Sequence, residues 1–214
     1  MSSLSSRARL RIAMLGVALA APLAGCGILP KQETLSVFRP EPAVTIDPSW
    51  AQVGWSLQIS RPHVDAAYDS ARILVRSRPG ELEVYKGVAW TQPAPDLVLD
   101  SLLRAFADSG RFAGVARRGE GVKAEYELLL DLRRFEADYI DRDAPSARIT
   151  LGARLIHNVD NRIVASRVFD VASPADGIDM PPIHRAFERG LEDTTTQLIG
   201  WALEQGQRDA RSGH

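Results

Sequence analysis

Cysteine is nearly absent: Cys26 is the one thiol among 214 residues. A lone thiol cannot close an internal disulfide or build a thiolate zinc cage, which excludes a disulfide-stapled scaffold. A surplus of one charge is missing too. Lys+Arg number 26 against 27 Asp+Glu, a formal net charge of −1, so no global basic field draws in nucleic acid. Compact chemical signatures are missing as well. His63, His157, His184 and His214 show no HExxH spacing, and there is no GxSxG elbow, Walker glycine loop or GxGxxG turn. Those absences argue against a zinc site, an α/β-hydrolase and nucleotide binding. What is present is ordinary: 45% hydrophobic and 25% charged residues, the proportions of a globular domain. One unit of this length buries roughly 70% of its unfolded surface.

The N-terminus departs from that average. Arg7, Arg9 and Arg11 form a basic segment without acidic neighbours, and residues 12–23 are apolar apart from Pro22. Such a run rises only about 18 Å as a helix, short of the ~30 Å hydrocarbon core, so it reads as the apolar part of an export signal. Leu23-Ala24-Gly25-Cys26 resembles the bacterial lipobox: a branched residue, two small ones, then the cysteine that accepts diacylglycerol. The alternative is an ordinary signal peptide with an incidental cysteine. The only cysteine falls at the one required place, which favours lipidation. The expected organisation is a lipoprotein signal peptide over 1–25, a lipidated N-terminus and tether over 26–33, an α+β domain over 34–205 and a polar tail over 206–214. One acyl chain binds reversibly and two or more anchor stably, so an acylated Cys26 is a lasting tether. Gly27 stands where an aspartate retains lipoproteins in the inner membrane of enterobacteria-like systems, which implies the outer membrane.

Two periodicities organise the rest. Residues 34–38 suit a short strand, and Val53, Trp55, Leu57 and Ile59 alternate with small or polar neighbours as a half-buried strand does. Ile73 and Val75, then Leu82 and Val84, flank Arg78-Pro79-Gly80, a hairpin signal. Leu99, Leu102, Leu103 and Phe106 follow helical spacing after Pro93 and Pro95, with Ser109-Gly110 as the stop. Alternation returns over 126–133, 147–155 and 163–171, with a hairpin tip at 158–161. After Pro181-Pro182, Ile183, Phe187, Leu191, Thr194, Leu198 and Trp201 form one helical stripe, and Gly190 and Gly200 give it room for close approach. The order predicts a single α+β domain, a largely antiparallel sheet with two amphipathic helices packed on one face.

Catalytic groups do not assemble into any recognisable set. Glu136, Asp138, Asp141 and Asp143 sit beside Arg133, Arg134 and Arg142 and read as a solvated charged hairpin, with a glycosidase-like acid pair as the weaker alternative. Arg117-Arg118 before glycines reads as an exposed loop. Arg61-Pro62, Tyr68-Asp69-Ser70, Tyr85 and Trp90 form a different constellation around strand ends and the hairpin. Pro62 can end a strand, Asp69 can cap a turn, and the aromatics can be core. Read as function, Arg61, Tyr68, Tyr85 and Trp90 are candidates for partner binding. Trp90 leads because it falls between Gly87 and Pro93, in an expected loop, and exposed tryptophan and arginine are common interface anchors. Its alternative is a plug between hairpin and helix.

With the lipobox, the segments RPHVDAAYDSARILVRSRPGELEVYKGVAWTQPAP, SLLRAFADSGRF and AEYELLLDLRRFEAD resemble the ABC-type transport auxiliary lipoproteins, the group containing the paraquat-inducible PqiC-like proteins. The resemblance runs from about Thr34 to Trp201 and lies in the order of features rather than in one motif. It implies an outer-membrane lipoprotein facing the periplasm. Such a protein works with an MCE-domain protein and, through it, an inner-membrane ABC permease and ATPase that move lipids. It implies no catalytic residue and no cofactor beyond the covalent lipid (palmitate) on Cys26, and leaves room for a homo-oligomer. The competing expectations are a stand-alone periplasmic lipid- or ligand-binding lipoprotein and, more remotely, a periplasmic hydrolase.

Overall fold

Alternation with a period of two builds the centre of the sheet. In the computed structural model, which describes residues 34–140 and 143–213, the strand β6 (Tyr126–Asp138) turns Tyr126, Leu128, Leu130 and Leu132 to one side. The pairing register shifts between Leu132 and Arg134, after which Phe135 and Ala137 take over that side. Such a shift adds one residue to one strand and exchanges the faces. The signal segment 1–25, Cys26, Gly27 and the tether to residue 33 lie outside the described residues, as do Asp141, Arg142 and His214.

The other strands arrange themselves along the two edges of β6. On one edge β7 (Ser146–His157) runs antiparallel over its whole length, and β8 (Arg162–Pro174) pairs with β7 in the same sense. Asn161, with φ 57°, supports the turn between them, a conformation asparagine tolerates. The opposite edge is shared end to end by two parallel partners. The strand β2 (Ser56–Ile59) pairs with the start of β6, and β3 (Arg72–Arg78) with its end, with a bridge from His63 to Asp131 between them. Pro79-Gly80 turns the chain from β3 into β4 (Glu81–Trp90), with Gly80 at φ 79°. The short strands β1 (Ser36–Phe38) and β5 (Gly114–Arg117) add in parallel to β4 and β2. The eight-stranded sheet is therefore mixed, its long pairings antiparallel and its short ones parallel.

Two helices complete the α+β fold. Pro93 and Pro95 open α1 (Ala94–Asp108), which buries Leu97, Val98, Leu99, Leu102 and Phe106. Leu103 of the expected stripe is half-buried. Ser109 Oγ donates to Phe106 O at 2.6 Å, and Gly110 at φ 60° ends the turn. The second helix, α2 (Met180–Ser212), buries Ile183, Phe187, Leu191, Thr194, Leu198 and Trp201 as its stripe requires. Both helices join one core with the inner face of the sheet. At its centre Trp90, Phe135 and Phe187 meet at ring-centroid separations of 4.8–5.6 Å.

Two sequence expectations need correction. The stretch after residue 205 is helix, with Gly206 and Asp209 buried, where a polar tail was expected. Specific partners hold it: the Tyr126 hydroxyl donates to Asp209 at 2.9 Å, Arg162 pairs with Asp209 at 2.6 Å, and Trp55 packs against Gly206. The Arg117-Arg118 pair belongs to a strand end, where a loop was expected. Arg117 closes β5 and pairs with Asp100 at 2.6 Å, while Arg118 reaches Glu127 at 2.7 Å.

Candidate functional site

The four sequence candidates fall into four environments. Trp90 is the last residue of β4, not part of a loop, and is 2% exposed. Gly87, at φ 69°, bends the strand without ending it; Trp90 N–H then donates to Ala71 O at 2.7 Å. The indole Nε1 finds no acceptor among the described residues, so packing alone holds the ring. A buried ring cannot anchor a partner, and the structure places Trp90 in the core. Tyr85 is half-buried, its hydroxyl 2.7 Å from that of Tyr139. Burial, then Tyr139, pushes the Tyr85 phenol well above its ordinary range.

Arg61 is a clamp. It donates to Asp96 at 2.7 and 3.0 Å and to Asp69 at 2.7 Å, tying the segment after β2 to the first turn of α1. The guanidinium holds the Asp96 carboxyl below the usual carboxylate range. Tyr68, a few residues on, is buried and donates its hydroxyl to Glu136. Burial first, then the Glu136 carboxylate, raises the Tyr68 phenol to about 12.

Glu136 is the centre of that network, and it is 0% exposed. Arg76 Nε reaches it at 2.6 Å and Arg134 Nε at 2.8 Å, while Arg134 also pairs with Asp138 at 2.8 Å. Burial pushes the carboxyl upward, but the bonds from Arg76, Tyr68 and Arg134 outweigh it and leave the group below its ordinary range. A carboxylate so held has no proton to exchange near neutral pH; the arrangement locks strands β3 and β6 together. The reading of Glu136 as part of a solvated hairpin is therefore corrected: its place in the β6 alternation puts it under Tyr68.

These groups lie on the face of the sheet that, among the described residues, carries no helix. Register places Glu136 beside Arg148 of β7, which pairs with Asp170 of β8; Thr150 Oγ1 donates to Asp170 at 2.8 Å. Further along the same face, Asp131 and Arg133 pair at 2.8 Å beside Gly152. A Cβ on Gly152 would sit 3.3 Å from Arg133 Nη2, so the glycine lets the arginine lie across the strand. An open groove of about 440 Å³ results, bordered by Arg133, Arg154, Ser166 and Val168. Toward β3, β4 and β1 the same face becomes aliphatic, with Leu35, Val37, Leu82 and Val84 exposed. Sequence reading missed this patch. Val84 pairs with Leu74, whose other neighbour is Glu136, so it faces away from the core that Ile73 and Val75 enter. Among the described residues no cluster of His, Cys, Asp and Glu could hold a metal, and no helix is long and apolar enough to cross a membrane.

Comparison with known proteins accounts for most of the chain. Residues 34–199 match the family described as ABC-type transport auxiliary lipoprotein component. The crystal structure of protein XCC0632 from Xanthomonas campestris, assigned to the family DUF330, is 45% identical with a TM-score of 0.78. That match covers 82% of this chain and 99% of that one. A second crystal structure, of an uncharacterized protein, shares the fold at 11% identity and a TM-score of 0.62, covering 78% of this chain and 97% of its own. An uncharacterized protein of Bradyrhizobium diazoefficiens is 26% identical over 162 residues, 74% of this chain; the chain spans 42% of that relative's length.

Proposed function

The chain belongs to the ABC-type transport auxiliary lipoprotein component family, and from that membership we propose that it is a non-catalytic, lipid-anchored accessory of an ABC system that moves lipids between the inner and outer membranes. The observation that carries the proposal is the family match from residue 34 onward, directly downstream of a lipobox holding the only cysteine. Cys26 carries the lipid, and Gly27 directs the protein to the outer membrane, where the domain faces the periplasm. An MCE-domain protein bridges from there to the permease and ATPase of the inner membrane. The domain itself contributes a surface, because its best-held ionisable groups are locked in ion pairs rather than poised for proton transfer.

The experiment is affinity purification of the full-length protein from cross-linked membranes. Recovery of an MCE protein with a permease and an ATPase is the expected result. Recovery of a stoichiometric lipid without any transporter subunit would favour a stand-alone lipid carrier instead. Membrane fractionation tests the address: the mature protein should travel with outer-membrane markers.

A further inference from the structure

The helix-free face ends in aliphatic side chains at one end of the sheet, and strand pairing shows that they share a side. Val37 pairs with Ala89 and Ala89 with Arg72; Val84 pairs with Leu74. Paired residues point the same way. Leu35 and Val37, Leu82 and Val84, and Arg72 and Leu74 are each two residues apart. The register shift between Arg72 and Leu74 takes up the odd spacing of Val84 and Ala89 in β4, so the four aliphatic residues lie on one surface with Arg72. They are far from covered: Leu35 is 59% exposed, Val37 52%, Leu82 38% and Val84 41%. Two cations, Arg72 of β3 and Lys86 of β4, are exposed without an acidic partner among the described residues. The neighbouring acids are engaged, Glu81 with Arg78 at 3.5 Å and Glu83 with the Ser77 hydroxyl.

The position of this surface along the chain indicates what covers it. Leu35 lies nine residues from Cys26, and nine residues reach at most about 30 Å fully extended. The strand β1 runs parallel to β4, so the chain arrives at it from the side of the Pro79-Gly80 hairpin, where Leu82 and Val84 also lie. Aliphatic side chains flanked by unpaired cations suit the boundary of an anionic bilayer. We propose that Leu35, Val37, Leu82 and Val84, with Arg72 and Lys86, form a second membrane contact that seats the domain on the bilayer holding its lipid anchor. This rests on the acylation of Cys26 and adds an orientation to it. The hairpin end faces the lipid, and the turn between β7 and β8 faces away. Val159 in that turn is 76% exposed, yet it sits beyond the far end of β6, some 40 Å of strand from the hairpin.

The single-cysteine sequence makes the test direct, because acylation of Cys26 leaves no free thiol. Leu82→Cys and, separately, Val159→Cys are introduced into the full-length protein, which is purified in its acylated form. Each is labelled with an environment-sensitive fluorophore and reconstituted into phosphatidylethanolamine–phosphatidylglycerol vesicles. We expect blue-shifted emission at position 82, loss of that emission when the vesicles contain brominated acyl chains, and neither effect at position 159. Vesicle flotation is read in parallel. A protein that floats while position 82 stays unquenched, or while 159 is quenched instead, overturns the proposed seat and leaves the anchor intact. A protein that does not float overturns the anchor, and the seat with it.

Discussion

Trp90 closes the gap between the sheet and α2, its ring edge-on to Phe187 and tilted against Phe135. Truncation to alanine leaves a cavity between those rings, at a cost of about 3–5 kcal/mol. Denaturant unfolding of Trp90→Ala should show that loss; a stability near wild type would return the residue to the surface. Glu136 makes a different kind of prediction. Its carboxyl sits below the ordinary value of 4.5 in the folded protein, so its contribution is full above that value and is lost as pH falls through the folded one. Glu136→Gln should be less stable by about 3 kcal/mol at neutral pH, since Arg76 and Arg134 lose their anion. It should also lack part of the stability loss that the wild type shows on acidification, as thermal melting between pH 7 and 3 would reveal. The place of Trp90 was legible only as the alternative to a loop anchor, and the role of Glu136 was not legible. Alternation says that Glu136 lies opposite Phe135 and Ala137, but Tyr68, its covering partner, is 68 positions away.

Elements were legible in proportion to their length. The alternation of β6 and β7 and the stripes of both helices specify type and buried face, and the structure follows them. The four residues of β5 are too few to show a period, and the last turns of α2 look polar because their attachments are a glycine and an aspartate. Periodicity also fixes a face without fixing a neighbour, so the parallel pairing of β2 and β3 on one edge of β6 is a property of the folded chain alone. Two substitutions test the packing of α2. Leu198→Asp buries an unpaired carboxylate in a site that is fully buried, and should cost several kcal/mol of a total of about 5–15. Gly206→Ala is a smaller change with a sharper cause: its Cβ would lie 2.5 Å from Trp55 Cζ2. It should destabilise by about 1–3 kcal/mol and alter the tryptophan emission on which Trp55 reports. Unchanged melting and emission would mean that the indole and the helix do not touch.

At the scale of the whole molecule, the acylation proposed for Cys26 would decide where the fold works. Cys26→Ala should abolish acyl labelling and leave either an uncleaved precursor or a soluble form; unchanged processing and membrane partitioning would show that something other than the acyl group retains the protein. The domain should still fold in that variant, because its core is drawn from residues 53–203. The order of that core along the chain has a temporal consequence. A polypeptide leaves the ribosome, and any export channel, N-terminus first. Strands β2 and β3 emerge long before β6, the partner they share, and α2 follows every described strand. Until the 33 residues of α2 arrive, the part of the inner face formed by β7 and β8 lacks its cover, and pairing across such distances is slow. The newly delivered chain therefore passes through an interval in which it cannot yet shield its own interior. Over that interval, holding factors and neighbouring unfinished copies compete for the surface that α2 later occupies.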